Sequence, residues 1–353
     1  MKDIVIFSRV TNKEKVFFAR QLAVMISSGV ALDNAINLVR LQTRNSAFQK
    51  VLTQIYQDIQ AGEKLSVSLG KHPKVFDEVF IAVVSSGEAT GKLDKVLTHL
   101  ADRMEAMQVF KSKIKAALAY PIFVVVMMVA VVVLMMIKVI PILKNVFEES
   151  GVKLPWSTQL IVATSDFLVK WWWLVLAMLA LVILILWLIF TKTKKGRFAW
   201  DTIKLKAPLV KYVSYDLYMS RFARTTAMLI SSGIPIIETI KITARAINNR
   251  VYIRIMKKVI AQVERGIPMS VPLSKEKDVP ILVSQMIMVG EQTGRLETLM
   301  DKLADYYENE VDTKIKTISN LVEPVTIVIV GFGVGFLIYS ILYPIYGLVN
   351  VIK

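Results

Sequence analysis

The chain has 353 residues, 54% of them apolar, no cysteine, and a formal net charge of +16 at pH 7. This apolar content exceeds that of an ordinary soluble domain. The lack of cysteine excludes a disulfide framework, a thiol nucleophile and a thiolate metal site. The basic charge suits anionic lipid headgroups or an acidic partner surface, and we expect no nucleic-acid partner.

The amino-terminal part of the chain, from residue 12 to residue 115, is predicted to be helical throughout. The apolar patch Ile4–Phe7 is too short for the core of an export signal, so no cleavable leader is expected. From residue 12 onward, apolar residues recur at spacings of three and four, as in Leu22, Met25 and Ile26. Gly62 and Pro73 are predicted breaks, which leaves about six helices, one of them short.

Two stretches of the sequence occur twice, at an almost constant separation. SGEATGKLDKVL, Ser86–Leu97, recurs as VGEQTGRLETLM, Val289–Met300. FARQLAVMISSGV, which starts at Phe18, recurs as FARTTAMLISSGI, which starts at Phe222. A fixed self-similarity of this kind indicates a duplicated structural unit.

Each copy of the first stretch is predicted to form a helix–turn–helix corner. Leu93, Val96, Leu97 and Leu100 have the spacing of one apolar helix face. We predict that Gly87 ends the preceding helix and that Thr90 is the N-cap of the next one. Gly290 and Thr293 are expected to have the same roles in the second copy.

Packing alone does not explain the two equivalent carboxylates of these corners, Glu88 and Glu291. They could bind backbone N–H groups at a helix start, or they could face a partner. The corners also resemble a phosphate-binding loop, but three residues rather than four separate the glycines, and Leu93 follows Lys92. We therefore predict no ATP hydrolysis. The candidate partner-binding residues are Glu88, Thr90, Lys92, Glu291, Thr293 and Arg295.

Three long runs without charge are predicted to cross a membrane, since about 20 apolar residues span a hydrocarbon core of about 30 Å. Basic residues cluster before the first run and after the second, which favours a cytoplasmic location for both large polar segments. Two parallel copies of a bundle-plus-span unit need one return crossing, and the second run supplies it. The amino terminus is then cytoplasmic and the carboxyl terminus extracytoplasmic.

The predicted fold class is all-α: an integral membrane protein with two homologous cytoplasmic helical bundles and three transmembrane helices. The predicted segments are two cytoplasmic domains (1–115 and 191–323), three spans (116–142, 171–190 and 324–349), an extracytoplasmic segment (143–170) and an extracytoplasmic tail (350–353).

Several residues in or near the spans invite a specific interpretation. Gly331 and Gly335 have the spacing that lets another membrane helix approach closely, although glycine is also simply tolerated in such helices. Lys138 is expected to reach toward the outer interface, with an intramembrane ion pair to a substrate helix as the alternative. Trp171–Trp173 are expected to form an interfacial anchor.

An acidic run on the last helix of the second copy is interpreted as a solvated face, with a cation site as the alternative. Only two histidines, His72 and His99, are present, and they lie on different segments. We therefore expect no histidine metal site, no catalytic triad and no cofactor. The acidic run consists of Asp301, Asp305, Glu308, Glu310 and Asp312.

The sequence resembles the polytopic inner-membrane platform proteins of type IV pilus and type II secretion machines, the PilC/GspF family, with the pilus branch favoured. The resemblance follows the family's order over nearly the whole chain. The amino terminus is short here, whereas many members carry an extra leading segment, so a docking role of that segment is not carried over to this chain. The matching stretches are FARQLAVMISSGV, HPKVFDEVF, SSGEATGKLDKVL, KSKIKAALAYP, GVKLPWST, FARTTAMLISSGI and GEQTGRLETL.

The resemblance implies a non-enzymatic assembly platform without cofactors, located in the inner membrane as a dimer or higher homo-oligomer. It implies a hexameric assembly ATPase, pilins and other inner-membrane pilus components as partners, beside membrane lipids. A transporter or permease, or another membrane docking protein, is the alternative. A transporter needs polar residues along a path, and the predicted spans are nearly free of them.

Overall fold

The computed structural model describes residues 10–149 and 156–351, and within these ranges every regular element is helical. The patch Ile4–Phe7, residues 150–155 between the first two spans (which include GVK), and the last two residues of the predicted tail lie outside the described residues.

The first repeat comprises six helices, of which one is short, as the sequence predicts. Gly29, with φ of +82°, follows the end of the first helix, where only glycine adopts a left-handed turn without strain. The helices are α1 (Asn12–Ser27), α2 (Leu32–Gln42), α3 (Ser46–Gln60), α4 (Leu65–Gly70), α5 (Glu78–Thr90) and α6 (Leu93–Leu134).

Side-chain caps begin three of these helices. Thr11 and Glu14 form a capping box at α1, Asn45 accepts from two backbone N–H groups of α3, and Asp77 accepts from the backbone N–H of Phe80 at α5. Between the helices lies a cluster of phenylalanine rings whose centroids are 5.0 to 6.3 Å apart. The rings are Phe18, Phe48, Phe76 and Phe80.

A π-helix and three further helices connect the repeats. The π-helix, Met135–Val139, follows α6 directly. Its carbonyl at Met136 accepts a hydrogen bond from the buried hydroxyl of Ser165. Such a segment frees a carbonyl from the regular helical pattern. The helices are α7 (Ile140–Glu149), α8 (Trp156–Lys192, kinked at Trp171) and α9 (Lys194–Lys206).

The second repeat follows the order of the first. Phe222 and Tyr252 lie fully buried in its core, and the Tyr252 hydroxyl donates to the carbonyl of Asp278 at 3.1 Å. Burial raises the pKa of Tyr252 above its ordinary value. The helices are α10 (Pro208–Ser231), α11 (Ile236–Ile247), α12 (Arg250–Val263), α13 (Ser270–Ser274), α14 (Ile281–Thr293) and α15 (Leu296–Val351).

The chain divides into two compact units. The first unit combines the chain up to Lys113 with Asp201–Asp312, and therefore contains the cores of both repeats. The second unit combines Ile114–Trp200 with the chain from Thr313 onward. In the second unit, Lys144 of α7 pairs with Asp166 of α8 at 2.8 Å.

Three helices are long and apolar enough to cross a membrane, as predicted: Leu93–Ile142, Val169–Lys192 and Leu296–Gly335. None of their apolar windows is buried within the protein. The helix before the first span continues through Pro121 without a break, and the last helix continues through Pro324 and Pro344.

Candidate functional site

The two corners differ from the prediction in where their first helix ends. α5 continues through Gly87 to Thr90 and ends at Gly91, which has φ of +66°. α14 likewise continues to Thr293 and ends at Gly294, with φ of +69°. The N-cap role predicted for Thr90 and Thr293 is therefore wrong. Their hydroxyls donate to the carbonyls four residues earlier, at 2.8 and 2.7 Å.

Gly87 and Gly290 are buried inside their helices, so the prediction that they end these helices is also wrong. They allow a close approach of the next helix. A Cβ at Gly87 would lie 3.2 Å from Leu93 Cα, and one at Gly290 would lie 2.8 Å from Leu296 Cα. Glycine is thus required by packing here, and the left-handed turn belongs to the second glycine of each corner.

Glu88 and Glu291 bind backbone donors of their own repeat. Glu88 accepts from the backbone N–H of Leu65 at 2.6 Å, from that of Ser66 at 3.2 Å, and from the Ser66 hydroxyl. These donors lie at the start of α4, whose own N-cap residue contributes no side-chain bond. A negative charge at a helix start satisfies free N–H groups and the helix dipole.

The second repeat has the same arrangement. Glu291 accepts from the backbone N–H groups of Met269 at 2.5 Å and Ser270 at 3.2 Å, and from the Ser270 hydroxyl at 2.6 Å. Each glutamate therefore fixes a corner to the short helix beside it. A contact of Glu88 or Glu291 with a partner stays a prediction.

The other candidate residues of the corners point to solvent. Thr90 and Lys92 in the first repeat, like Thr293 and Arg295 in the second, are exposed. The structure adds an exposed valine on each short helix, Val67 and Val271. Our sequence reasoning missed these valines, although the stretches LSVSL and MSVPL that contain them are themselves a repeated pattern. Each corner is thus a small exposed surface on a fixed internal support.

A partly buried arginine in each repeat binds the acidic face of that repeat's last helix. Arg20 of α1 contacts Asp102 at 2.6 Å and Glu105 at 2.7 Å. The hydrogen bond from Arg20 holds the pKa of Glu105 below its ordinary value.

Arg224 of α10 contacts Asp305 at 2.5 Å, Glu308 at 3.0 Å and Asp301 at 3.2 Å. Burial alone would lower the pKa of Arg224, but its hydrogen bonds to Glu308 and Asp305 raise it above the ordinary value. The interpretation of the acidic run as a solvated face holds for Asp305, whose side chain is 64% exposed, but is wrong for Asp301 and Glu308, which are 23% and 20% exposed and lie against Arg224.

The two repeats contact each other within the first unit. α5 packs against α10 and α11, and Leu229 and Ile242 of the second repeat join the hydrophobic core of the first. At the edge of this contact, Arg245 pairs with Glu78 at 2.5 Å. The Ser86 hydroxyl donates to the Ser232 carbonyl, and Arg103 of α6 pairs with Asp301 of α15.

A groove of about 370 Å³ lies beside this contact, lined by both repeats. Arg221, one of its basic residues, is largely buried and donates to the Ile247 carbonyl at 3.1 Å. Burial lowers the pKa of Arg221. Its basic lining residues are Lys15, Arg103, Lys111, Arg221 and Arg224, beside one carboxylate, Asp77.

The second unit contains an apolar cleft of about 500 Å³ between the spans of α6 and α15. Its lining includes Gly333 but neither Gly331 nor Gly335. A Cβ added at Gly331 or Gly335 would meet open space, so no described part of the chain packs there. Contact of these glycines with another molecule stays a prediction. Other lining residues are Phe123, Met127, Met128, Met135, Thr326 and Ile329.

Comparison with known proteins agrees with the duplication. The family model described as type II secretion system (T2SS), protein F, matches the chain twice, over residues 18–141 and 222–344. The chain is similar to the type IV pilus assembly protein PilC of Myxococcus xanthus, with 34% identity covering 98% of this chain and 83% of that protein.

Two further relatives show the same breadth of similarity. PilC of Pseudomonas aeruginosa is 31% identical, covering 95% of this chain and 90% of that protein. The type II secretion system protein F of Aeromonas hydrophila is 30% identical, covering 99% and 90%. The resemblance inferred from the sequence motifs is thereby confirmed. The chain is a multi-pass membrane protein that belongs to the type II secretion system protein F family.

Proposed function

We propose that this protein is a non-enzymatic platform of the inner membrane, which couples a cytoplasmic assembly ATPase to the insertion of pilin subunits. The observation that carries the proposal is the corner built twice: an exposed basic and apolar surface, each copy fixed internally by a glutamate cap. An oligomeric motor presents the same surface repeatedly, and a duplicated docking surface suits such a partner. The relatives' names place them in pilus assembly and protein secretion.

The helix that follows each corner suggests how motion would reach the bilayer. α6 begins two residues after Gly91 and includes the first apolar span, and α15 begins two residues after Gly294 and includes the third. We propose that both corners face the cytoplasm, with the amino terminus inside and the carboxyl terminus outside. The basic clusters at the ends of the first two spans support this orientation.

The apolar cleft supports pilins as the second partner. A pilin enters from the bilayer by an apolar helix, and the cleft lining is almost entirely apolar, with Thr326 as its polar residue among those described. A transporter path needs polar groups at membrane depth, so this lining favours the platform over a permease.

The test reverses the exposed charges of the corners. Lys92→Glu and Arg295→Glu change exposed side chains that make no ion pair or hydrogen bond with the described part of the chain, so each should alter stability by no more than about 0.5 kcal/mol. We expect loss of piliation and of ATPase copurification with an unchanged amount of membrane-inserted protein. Glu88 is unsuited to this test, because its substitution also removes the cap of α4.

The matched control is Lys95→Glu, an exposed lysine one helical turn further along α6. It should retain piliation. Normal piliation and ATPase capture in the Lys92→Glu, Arg295→Glu double variant would contradict the docking role of the corners.

A photocrosslinker in the cleft tests the pilin site. At Met128, which lines the cleft, it should capture prepilin in membranes. At the exposed Val126, which lies outside the cleft, it should capture much less. Equal capture at both positions would contradict a role of the cleft in pilin binding.

A further inference from the structure

The contact between the two repeats joins two different surfaces. The first repeat contributes α5, and the second contributes α10 and α11. A contact between two unlike surfaces of equivalent units is heterologous, so it leaves one unused copy of each surface. In this chain the unused copies are α14 of the second repeat and the α1–α2 face of the first repeat.

Both unused surfaces are apolar and open. On α14, the side chain of Ile281 is 73% exposed, and Met288 and Val289 are exposed beside it. On α1 and α2, Leu41 is 62% exposed, and Val24 and Leu38 are exposed with it. Large apolar side chains grouped on one face of a helix indicate an interaction surface.

The two open surfaces are both apolar at the positions that form an ion pair in the internal contact. Within the chain, Glu78 of α5 pairs with Arg245 of α11. The duplication places Ile281 where the first repeat has Glu78, and Leu41 where the second repeat has Arg245. An ion pair in the internal contact thus corresponds to two apolar residues on the open surfaces. Both positions are charged in the internal contact and both are apolar on the open surfaces, as expected if Leu41 and Ile281 also contact each other.

We propose that a second copy of this chain docks head to tail, with its α1–α2 face on the α14 face of the first copy. The new contact repeats the internal one, and Leu41 of one copy packs on Ile281 of the next. Copies in one bilayer share one orientation, so successive docking rotates about the membrane normal and favours a closed ring. The inference does not depend on the proposed partners, since it concerns copies of the chain alone.

Thiol crosslinking of the full-length protein in membranes tests the contact, because the chain has no cysteine of its own. The double variant Leu41→Cys, Ile281→Cys, treated with a short bismaleimide, should give a ladder at multiples of the monomer mass. Each single variant should give no crosslinked product. The two single variants produced together in one membrane should give a crosslinked dimer and nothing larger.

The matched control is Glu78→Cys, Arg245→Cys, at the contact observed inside the chain. It should crosslink within one chain and give no ladder. Dimers from either single variant would indicate a two-fold contact and overturn the proposal. A double variant that stays monomeric, or crosslinks only within one chain, would also overturn it.

Restoring the ion pair gives a second test that does not use crosslinking. Leu41→Arg or Ile281→Glu alone should shift the protein in nanodiscs to the monomer mass. The combined variant, which copies the Arg245–Glu78 pair, should regain the oligomer. An unchanged oligomer mass in both single variants would contradict the proposal, and monomers in the combined variant would contradict the pairing of these two positions.

Discussion

The two repeats share their internal polar contacts but differ on the surfaces by which they dock. The glutamate cap and the arginine on the acidic helix occur at corresponding positions in both. By contrast, the first repeat has Leu41 and Glu78 where the second has Arg245 and Ile281. A fold tolerates exchange of exposed residues, whereas loss of a partner for a buried polar group costs about 1–3 kcal/mol. The comparison therefore separates residues that hold a repeat together from residues that choose its neighbour.

The largest expected difference between the repeats concerns their arginines. Arg224 contacts three carboxylates and its side chain is 11% exposed, whereas Arg20 contacts two and is 29% exposed. Arg224→Ala leaves uncompensated charge in a partly buried site, so we expect a loss of about 3 kcal/mol. Arg20→Ala should cost about 1 kcal/mol.

Thermal unfolding of the full chain in detergent measures this difference. Arg224→Ala should lower the melting temperature by roughly 6–12 °C and Arg20→Ala by roughly 2–4 °C. Equal shifts in melting temperature would show that the third carboxylate, Asp301, adds nothing to the stability of the second repeat.

The next difference concerns the buried glycines of the corners. Gly290→Ala places a Cβ 2.8 Å from the backbone of Leu296, and Gly87→Ala places one 3.2 Å from that of Leu93. Overpacking typically costs 1–3 kcal/mol, so we expect about 2 kcal/mol for Gly290→Ala and about 1 kcal/mol for Gly87→Ala. The same thermal measurement shows which substitution lowers the melting temperature more. A larger decrease for Gly87→Ala than for Gly290→Ala would contradict the closer packing of the second corner.

The two glutamate caps should contribute equally to the stability of the two repeats. Glu88→Gln and Glu291→Gln each replace a charged acceptor of three hydrogen bonds, and each should cost about 1.5 kcal/mol. A double variant should show the sum of the two losses, because the sites share no partner. A much larger loss in one repeat would indicate that its glutamate has a second role.

Part of the fold and of the candidate site could be predicted from the sequence, and part could not. The stop at Gly29, the six helices and the three spans follow from periodicity, glycine placement and lack of charge. The end of α5 was misplaced by four residues, since the corner contains two glycines and only packing shows that Gly87 lies inside the helix. The Arg224 cluster was missed because spacing along α15 cannot show an arginine that comes from α10.

The two glutamates of the corners illustrate the same limit. Repetition in the sequence identifies Glu88 and Glu291 as equivalent, but does not tell a cap from a docking residue. That distinction needs the positions of Leu65 and Ser66, which are more than twenty residues away in sequence.

The smallest expected effect is a dependence on pH. The pKa of Glu105 lies below its ordinary value of 4.5 because of the hydrogen bond from Arg20. Its carboxylate therefore stabilises the fold fully above the unfolded pKa, and this contribution is lost as pH falls through the lower folded pKa. From roughly pH 6 to pH 3, across the ordinary carboxyl range, the melting temperature should fall slightly more in wild type than in Arg20→Gln. Melting temperatures that fall equally with pH in wild type and Arg20→Gln would contradict a stabilising contact between Arg20 and Glu105.

Labelling of single cysteines in intact cells with a membrane-impermeant thiol reagent tests whether both repeats lie on the cytoplasmic side. Gln60→Cys in the first repeat and Arg265→Cys in the second are exposed positions at corresponding turns, and Phe167→Cys lies between the first two spans. We expect labelling of Phe167→Cys alone in intact cells, with the other two positions labelled only after lysis. Labelling of one repeat but not the other in intact cells would contradict two parallel copies.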